Sequence, residues 1–135
     1  MVLRMSYRSD GDIFSEIKSL SGRLIERRRR RDSVTQRHLA QAVERSERWL
    51  REIEGGSPHS MIEDHVRCAH SLGMTTPHLF IPILASEHKM MIPRELLMQD
   101  DLWDLEHELL EVVERFNAAV MARQTRRSGH PDGLL

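Results

Sequence analysis

The chain has 135 residues, enough for one domain or for one small domain with an appended element. Its 39% hydrophobic and 30% charged residues support a modest core and fit a soluble, helix-rich protein. No apolar run approaches the ~18–20 residues that cross a bilayer, and residues 1–12 contain no signal-peptide core, so we expect no membrane partner and a cytoplasmic location. Because Cys68 is the single cysteine, an internal disulfide is excluded.

The charge is distributed unevenly along the chain. Residues 1–60 hold 13 Arg/Lys against 9 Asp/Glu, a balance of +4, whereas residues 61–135 hold 7 against 12, a balance of −5. The basic half includes five consecutive arginines at 27–31. Such a run attracts a polyanion such as nucleic acid, but it is equally typical of a solvated helix face.

Apolar residues recur at helical spacing from the first residues onward, and no strand pattern appears. The first predicted helix begins after Asp12, and two short helices follow from Thr35 and from Ser46. The Gly55-Gly56 pair ends the third helix. The expected core positions of these helices are Ile13, Ile17, Leu20, Leu24, Ile25, Leu39, Ala40, Val43, Leu50 and Ile53.

Two more helices are predicted before residue 85. The fourth ends at Gly73, and the fifth has Pro77 in its first turn and is short or kinked at Pro82. Cys68 falls among the apolar positions of the fourth helix, where we expect an inert buried thiol. The apolar positions of the two helices are Ile62, Val66, Ala69, Leu72, Leu79, Phe80, Ile83 and Leu84.

A longer helical pattern begins at Pro93 and runs to about residue 123. Its apolar residues alternate at spacings of four and three for about three heptads, which is typical of packed helices. These residues offer more apolar surface than one helix can bury alone, so we predict that this helix forms the contact of a homodimer; the alternative is that it folds back on its own domain. The stripe consists of Met98, Leu102, Leu105, Leu109, Val112, Phe116 and Ala119.

Residues 35–56 carry the most informative pattern. Leu39 and Val43 lie one helical turn apart, as do Leu50 and Ile53, so two short helices can each present a face to a shared core. In the same register the segment contains Thr35-Gln36, Leu39-Ala40, Ser46, Leu50, Ile53-Glu54 and Gly56. This segment resembles the Cro/CI-type helix-turn-helix family, and the resemblance covers roughly residues 20–80.

The resemblance implies an all-α fold with a five-helix, lambda-repressor-like helix-turn-helix domain, to which the sequence adds a long C-terminal helix. The family's turn usually has glycine where this chain has Glu44, because the backbone there tends toward positive φ; a side chain there costs roughly 1 kcal/mol. The predicted organisation is a partly helical N-terminal extension at 1–19, the DNA-binding domain at 20–84, a linker at 85–92, the dimerisation helix at 93–124 and a disordered tail at 125–135.

The resemblance also implies roles for single residues. Gln36 would bond a DNA phosphate, and Glu47, Arg48 and Glu52 would face bases, while Arg29 and Glu54 would form a partly buried ion pair. Helical geometry adds Arg51, since arginine can bond guanine bidentately in the major groove. The complete set of predicted DNA contacts is Gln36, Arg37, Ser46, Glu47, Arg48, Arg51 and Glu52.

These features favour a homodimeric, nucleoid-associated transcriptional regulator that places a recognition helix at 46–54 in the major groove of double-stranded DNA. One alternative is an antitoxin or adaptor that uses the same fold to bind a second protein; another is a helix-turn-helix that has lost DNA binding and serves only in assembly. We expect no catalytic residues, cofactor or metal site, because His65, Cys68 and His70 lack the paired spacing of zinc ligands.

Overall fold

The computed structural model describes residues 10–128, and all seven regular elements in that range are helices. The predicted all-α class is confirmed. The helices are α1 (Asp10–Arg31), α2 (Gln36–Ala42), α3 (Glu47–Glu54), α4 (Ile62–Ser71), α5 (Pro77–Glu87), α6 (Arg94–Leu97) and α7 (Trp103–Ser128). The chain divides into two compact units, the first ending at Asp100 and the second beginning at Asp101.

The first unit is larger than the predicted 20–84 domain. The boundary at residue 20 falls inside α1, and Ile17, on the predicted extension, is fully buried. The predicted linker 85–92 contributes two residues to a core cluster of this unit: Ala85, because α5 continues to residue 87, and Ile92 from the segment after it. The predicted disordered tail 125–135 was wrong for 125–128, which are the last turn of α7. Residues 1–9 of the predicted extension and 129–135 of the predicted tail lie outside the described residues.

The predicted C-terminal helix at 93–124 is interrupted, and this part of the prediction was wrong. α6 spans only Arg94–Leu97, and Met98 packs against the core of the first unit rather than joining the apolar stripe of α7. The Asp101 side chain then accepts a hydrogen bond from the backbone N–H of Trp103 at 2.7 Å, which starts α7. The heptad spacing of the apolar residues continues across this break, so the pattern did not predict that a new helix starts after Asp101.

Helix α1 is the central element of the first unit. It packs against α3, α4 and α5, and its buried side chains reach all three core clusters. The α1–α3 crossing is close at Gly22, where an added Cβ would lie 2.5 Å from the carbonyl oxygen of Ile53. The absence of a side chain at Gly22 therefore lets the backbones of α1 and α3 approach closely.

Each of the first five helices ends in the same hydrogen-bonded turn, the Schellman motif. After α2, for example, Arg45 N–H donates to the carbonyl oxygen of Ala40 at 2.8 Å and Glu44 N–H donates to that of Gln41 at 3.1 Å. The motif needs one residue in the left-handed region. These residues are Ser33, Glu44, Gly56, Gly73 and Lys89, with φ between 55° and 71°.

The buried side of α5 differs from the prediction. Leu79 is buried as expected, but Phe80 and Leu84 are more than half exposed. The side facing the core instead carries His78, Pro82 and Ala85, which follow one another at helical spacing. Among the described residues, no helix is long and apolar enough to cross a membrane.

Candidate nucleic-acid interface

Two side-chain caps begin the short helices α2 and α3. Thr35 Oγ1 accepts a hydrogen bond from His38 N–H at 3.0 Å, and Ser46 Oγ accepts one from Trp49 N–H at 3.1 Å. Each cap satisfies one of the unpaired amides at a helix start. The caps set where α2 and α3 begin, and the remaining N-terminal amides of α3 and the positive end of its dipole point away from the helix.

The turn between the two helices depends on a strained residue. Glu44 has φ 58°, the left-handed conformation that favours glycine. The family's glycine position was the one expected to need positive φ, and the backbone here adopts it with a glutamate. Glu44 therefore adopts the backbone conformation that glycine favours, at an expected cost of roughly 1 kcal/mol.

Helix α3 is divided into a buried and an exposed side as its spacing predicted. Leu50 and Ile53 are buried in a core cluster shared with α1, α2 and α4. The outward positions are Glu47, Arg48, Arg51 and Glu52, all exposed. The Arg48 side chain is 85% exposed, so its guanidinium can reach a ligand without any rearrangement of the core.

A buried carboxylate holds the three helices in register. Glu54 accepts from Arg29 at both oxygens, Nε to Oε2 at 2.6 Å and Nη2 to Oε1 at 2.9 Å. The same Arg29 donates from Nη1 to the carbonyl oxygen of Val34 at 3.0 Å. The ion pair implied by the resemblance is present, and its hydrogen bond to Glu54 raises the pKa of Arg29. It joins the end of α1 to the end of α3.

Gln36 lies in the same network rather than on the open surface. It is half-buried, and its Nε2 donates to Glu54 Oε1 at 3.1 Å. The amide thus braces α2 against α3, which the sequence did not predict. A phosphate contact by Gln36 would use the donor or acceptor left over from that bond.

The charges on the exposed side of α3 are weakly paired with one another. Arg48 lies 3.8 Å from Glu52 and Arg51 lies 3.9 Å from Glu47, both one turn apart on exposed positions. Such pairs contribute only about 0.3–0.5 kcal/mol and can be exchanged for a better partner. These four side chains form an adaptable set of donors and acceptors.

Two other arginines border this surface. Arg37 is exposed on α2 and has no acidic partner within ion-pair distance among the described residues. Arg45, which the predicted set omitted, lies in the turn with its guanidinium 5.7 Å from the centre of the Trp49 ring. The spacing of four residues between Arg45 and Trp49 could have predicted this contact from the sequence.

Every arginine of the five-residue run is paired with a carboxylate within the chain. Beyond the Arg29–Glu54 pair, each remaining arginine lies within 3.4 Å of a carboxylate. The pairs are Arg27–Asp100, Arg28–Asp32, Arg30–Glu26 and Arg31–Asp32. Of these carboxylates only Asp100 lies outside residues 1–60, so the +4 balance of that half is reduced by one through the Arg27–Asp100 pair.

His65 and Cys68 of α4 are buried in the core. The two ring nitrogens of His65 lie 2.8 Å from Ser21 Oγ and 2.9 Å from Ser60 Oγ, and burial lowers its pKa to about 4. Burial raises the pKa of the Cys68 thiol to about 12. In the described part of the chain, no group of three or more His, Cys, Asp or Glu residues could hold a metal ion.

No family model, no curated protein and no solved structure matches this chain.

Proposed function

We propose that this protein is a sequence-specific DNA-binding transcriptional regulator with a lambda-repressor-like helix-turn-helix. The observation that carries the proposal is the division of α3: Leu50 and Ile53 are buried, whereas Arg48 and its charged neighbours are exposed on a helix capped by Ser46. A helix held this firmly on one side and open on the other is suited to present side chains to a groove.

The size and chemistry of α3 support the proposal. Its eight residues span about 12 Å, similar to the width of the major groove of B-DNA. Arg48 and Arg51 supply donors that match guanine, and Glu47 and Glu52 supply acceptors that match the amino group of cytosine. Arg37 on α2 and Arg45 in the turn before α3 are the residues we assign to phosphates.

The regulator is proposed to act as a homodimer through α7, because one short recognition helix contacts few base pairs and two-fold pairing multiplies the discrimination. A cytoplasmic, nucleoid-associated location follows from that role. We assign no catalytic or cofactor-binding role to any residue.

A second candidate is an antitoxin or adaptor that binds another protein. It is favoured by the charge balance: the arginine run of α1 is paired with carboxylates, and the exposed side of α3 carries two arginines against two glutamates. On this alternative the chain does not bind duplex DNA at low salt.

Selection from a random duplex library followed by anisotropy titration tests the proposal. We expect enrichment of one motif and an affinity that falls by at least tenfold between about 50 and about 200 mM salt, because phosphate contacts release counterions. Arg37→Ala should reduce the slope of log K against log salt by about 1. Arg23→Ala, an exposed arginine on α1 with no assigned role, is the matched control. No enrichment, or an affinity unchanged by salt, contradicts the proposal and favours the adaptor.

A further inference from the structure

Helix α7 exposes an apolar stripe that no other described residue of its unit covers. Phe116 is 68% exposed, and Leu110 and Val113 are each 60% exposed. Leu109, Val112 and Val120 add to the stripe at heptad-related positions. Contiguous apolar side chains of this size on a charged helix mark a surface that binds protein.

The charges of α7 are completely separated along its length. Residues 103–114 contain five carboxylates and neither Lys nor Arg, whereas residues 115–128 contain four arginines and neither Asp nor Glu. The helix dipole favours acids in the first turn and bases in the last, but its effect falls off within those turns. It does not account for Glu108, Glu111 and Glu114, or for Arg115, in the interior of the helix.

We propose that α7 pairs with α7 of a second copy of this chain in antiparallel orientation, so that the acidic half of each helix lies along the basic half of the other. The inference rests on the homodimer of the proposed function and adds its orientation and register. The heptad positions align when the two-fold axis passes near residue 114. Val112 then lies opposite the partner's Phe116, Leu109 opposite the partner's Ala119, and Leu105 opposite the partner's Arg123.

The charge pattern indicates that a second copy of the chain covers the apolar stripe. The charges of two α7 helices are complementary only when the helices run antiparallel. Parallel pairing would place five carboxylates beside five carboxylates and would set Arg123 and Arg126 against their own copies at the apolar seam. An unrelated acidic or basic partner would match only one half of α7. The antiparallel pair satisfies both halves and covers the apolar stripe at the same time.

Disulfide trapping of the full chain tests orientation and register. Leu105→Cys and Arg123→Cys chains are prepared separately, mixed and oxidised; Cys68 stays in place because it is buried and its pKa is raised to about 12. We expect the mixed disulfide as the main product. Neither variant should cross-link with itself, since two copies of residue 105 would lie about 27 Å apart. Glu111→Cys mixed with Ala118→Cys, on the outer side of the pair, is the control that should stay reduced.

Charge reversal gives an independent readout by sedimentation equilibrium. Glu106→Arg with Glu108→Arg should raise the dimer Kd by on the order of tenfold, and salt should then strengthen the dimer rather than weaken it. Adding Arg123→Glu and Arg126→Glu to the same chain should restore dimerisation.

Three results overturn the inference: a chain that is monomeric at tens of micromolar, a dimer in which each cysteine variant cross-links with itself, or a dimer without the mixed disulfide. DNA titrations on the same samples keep the two proposals apart. Motif-specific DNA binding by a monomer or by a parallel dimer would leave the DNA-binding proposal standing while the pairing fails.

Discussion

Helices α3 and α7 place their apolar side chains in opposite ways. α3 has only eight residues, and Leu50 and Ile53 on its inner side are fully buried, so only polar chemistry faces outward. α7 has 26 residues and leaves its largest apolar side chains exposed. The difference indicates two kinds of binding surface. A helix whose apolar side chains are already buried can bind a polar ligand with its exposed side. A helix whose apolar side chains are exposed is suited to bind another protein.

The anchoring of α3 should be the largest energetic contribution on this account. Glu54→Ala leaves Arg29 charged and buried without its partner, so we expect the free energy of unfolding to fall by about 3–5 kcal/mol. Urea denaturation measures the loss. Replacing both residues, Arg29→Leu with Glu54→Leu, should recover much of it, because no unpaired charge is then left in the core. A loss below about 1 kcal/mol for Glu54→Ala would show that the pair does not hold α3.

Two alanine substitutions, one in α3 and one in α7, test the contrast between these helices. Leu50→Ala should lower the free energy of unfolding by about 2–5 kcal/mol at every protein concentration, because it opens a cavity in the core. Phe116→Ala should matter only where the chain is dimeric, since this side chain is exposed in the single chain. A large, concentration-independent effect of Phe116→Ala would mean that α7 is buried within its own chain.

Acid should destabilise the first unit through two buried imidazoles. Burial lowers the pKa of His65 and of His78 to about 4, below the ordinary 6.5, so the unfolded chain binds more protons between those values. Stability is therefore complete above pH 6.5 and falls as the pH drops toward 4, by up to about 3 kcal/mol per histidine.

The two tryptophans allow this acid effect to be assigned. Trp49 reports on the first unit, and Trp103→Phe removes the signal of the second. Denaturation followed by Trp49 at pH 7 and at pH 5 should show the loss, and His65→Gln should reduce it. His70→Gln, an exposed histidine on the same helix, should not change it. A pH-independent midpoint would contradict the assigned imidazoles.

The smallest expected effect concerns the turn. Glu44→Gly relieves the left-handed strain at φ 58° and should raise the free energy of unfolding by up to about 1 kcal/mol. Glu44→Ala, which keeps a Cβ, is the control and should not stabilise the chain. Destabilisation by glycine would show that the side chain of Glu44 contributes more than its backbone costs.

The sequence predicted those features that depend on local periodicity. The core positions of α1, the two sides of α3 and the stops at Gly56 and Gly73 all follow from spacing and glycine placement. The stop of the first helix near Asp32-Ser33 was also predicted, but not the left-handed backbone of Ser33 and Lys89, because the hydrogen bonds of the turn impose that conformation on residues other than glycine.

The sequence also did not predict which residues the polar side chains would pair with. Gln36 was expected to contact a DNA phosphate, and its side chain donates a hydrogen bond to Glu54. The arginine run is paired with carboxylates up to 73 positions away in sequence, as in the Arg27–Asp100 pair. Contacts between residues so distant in sequence arise only when α1 and the segment after α6 pack together in the first unit. The resemblance of residues 35–56 identified the Arg29–Glu54 pair, which spacing alone could not.

The most direct test of the account is the affinity of three variants for the selected duplex and for a scrambled duplex at one salt concentration. Arg48→Ala should lose about 1–3 kcal/mol on the selected site and little on scrambled DNA, because Arg48 is assigned to a base. Arg37→Ala should weaken both duplexes about equally, and Arg23→Ala should change neither. If Arg48→Ala and Arg37→Ala gave indistinguishable losses on the two duplexes, the outer side of α3 would not be reading bases.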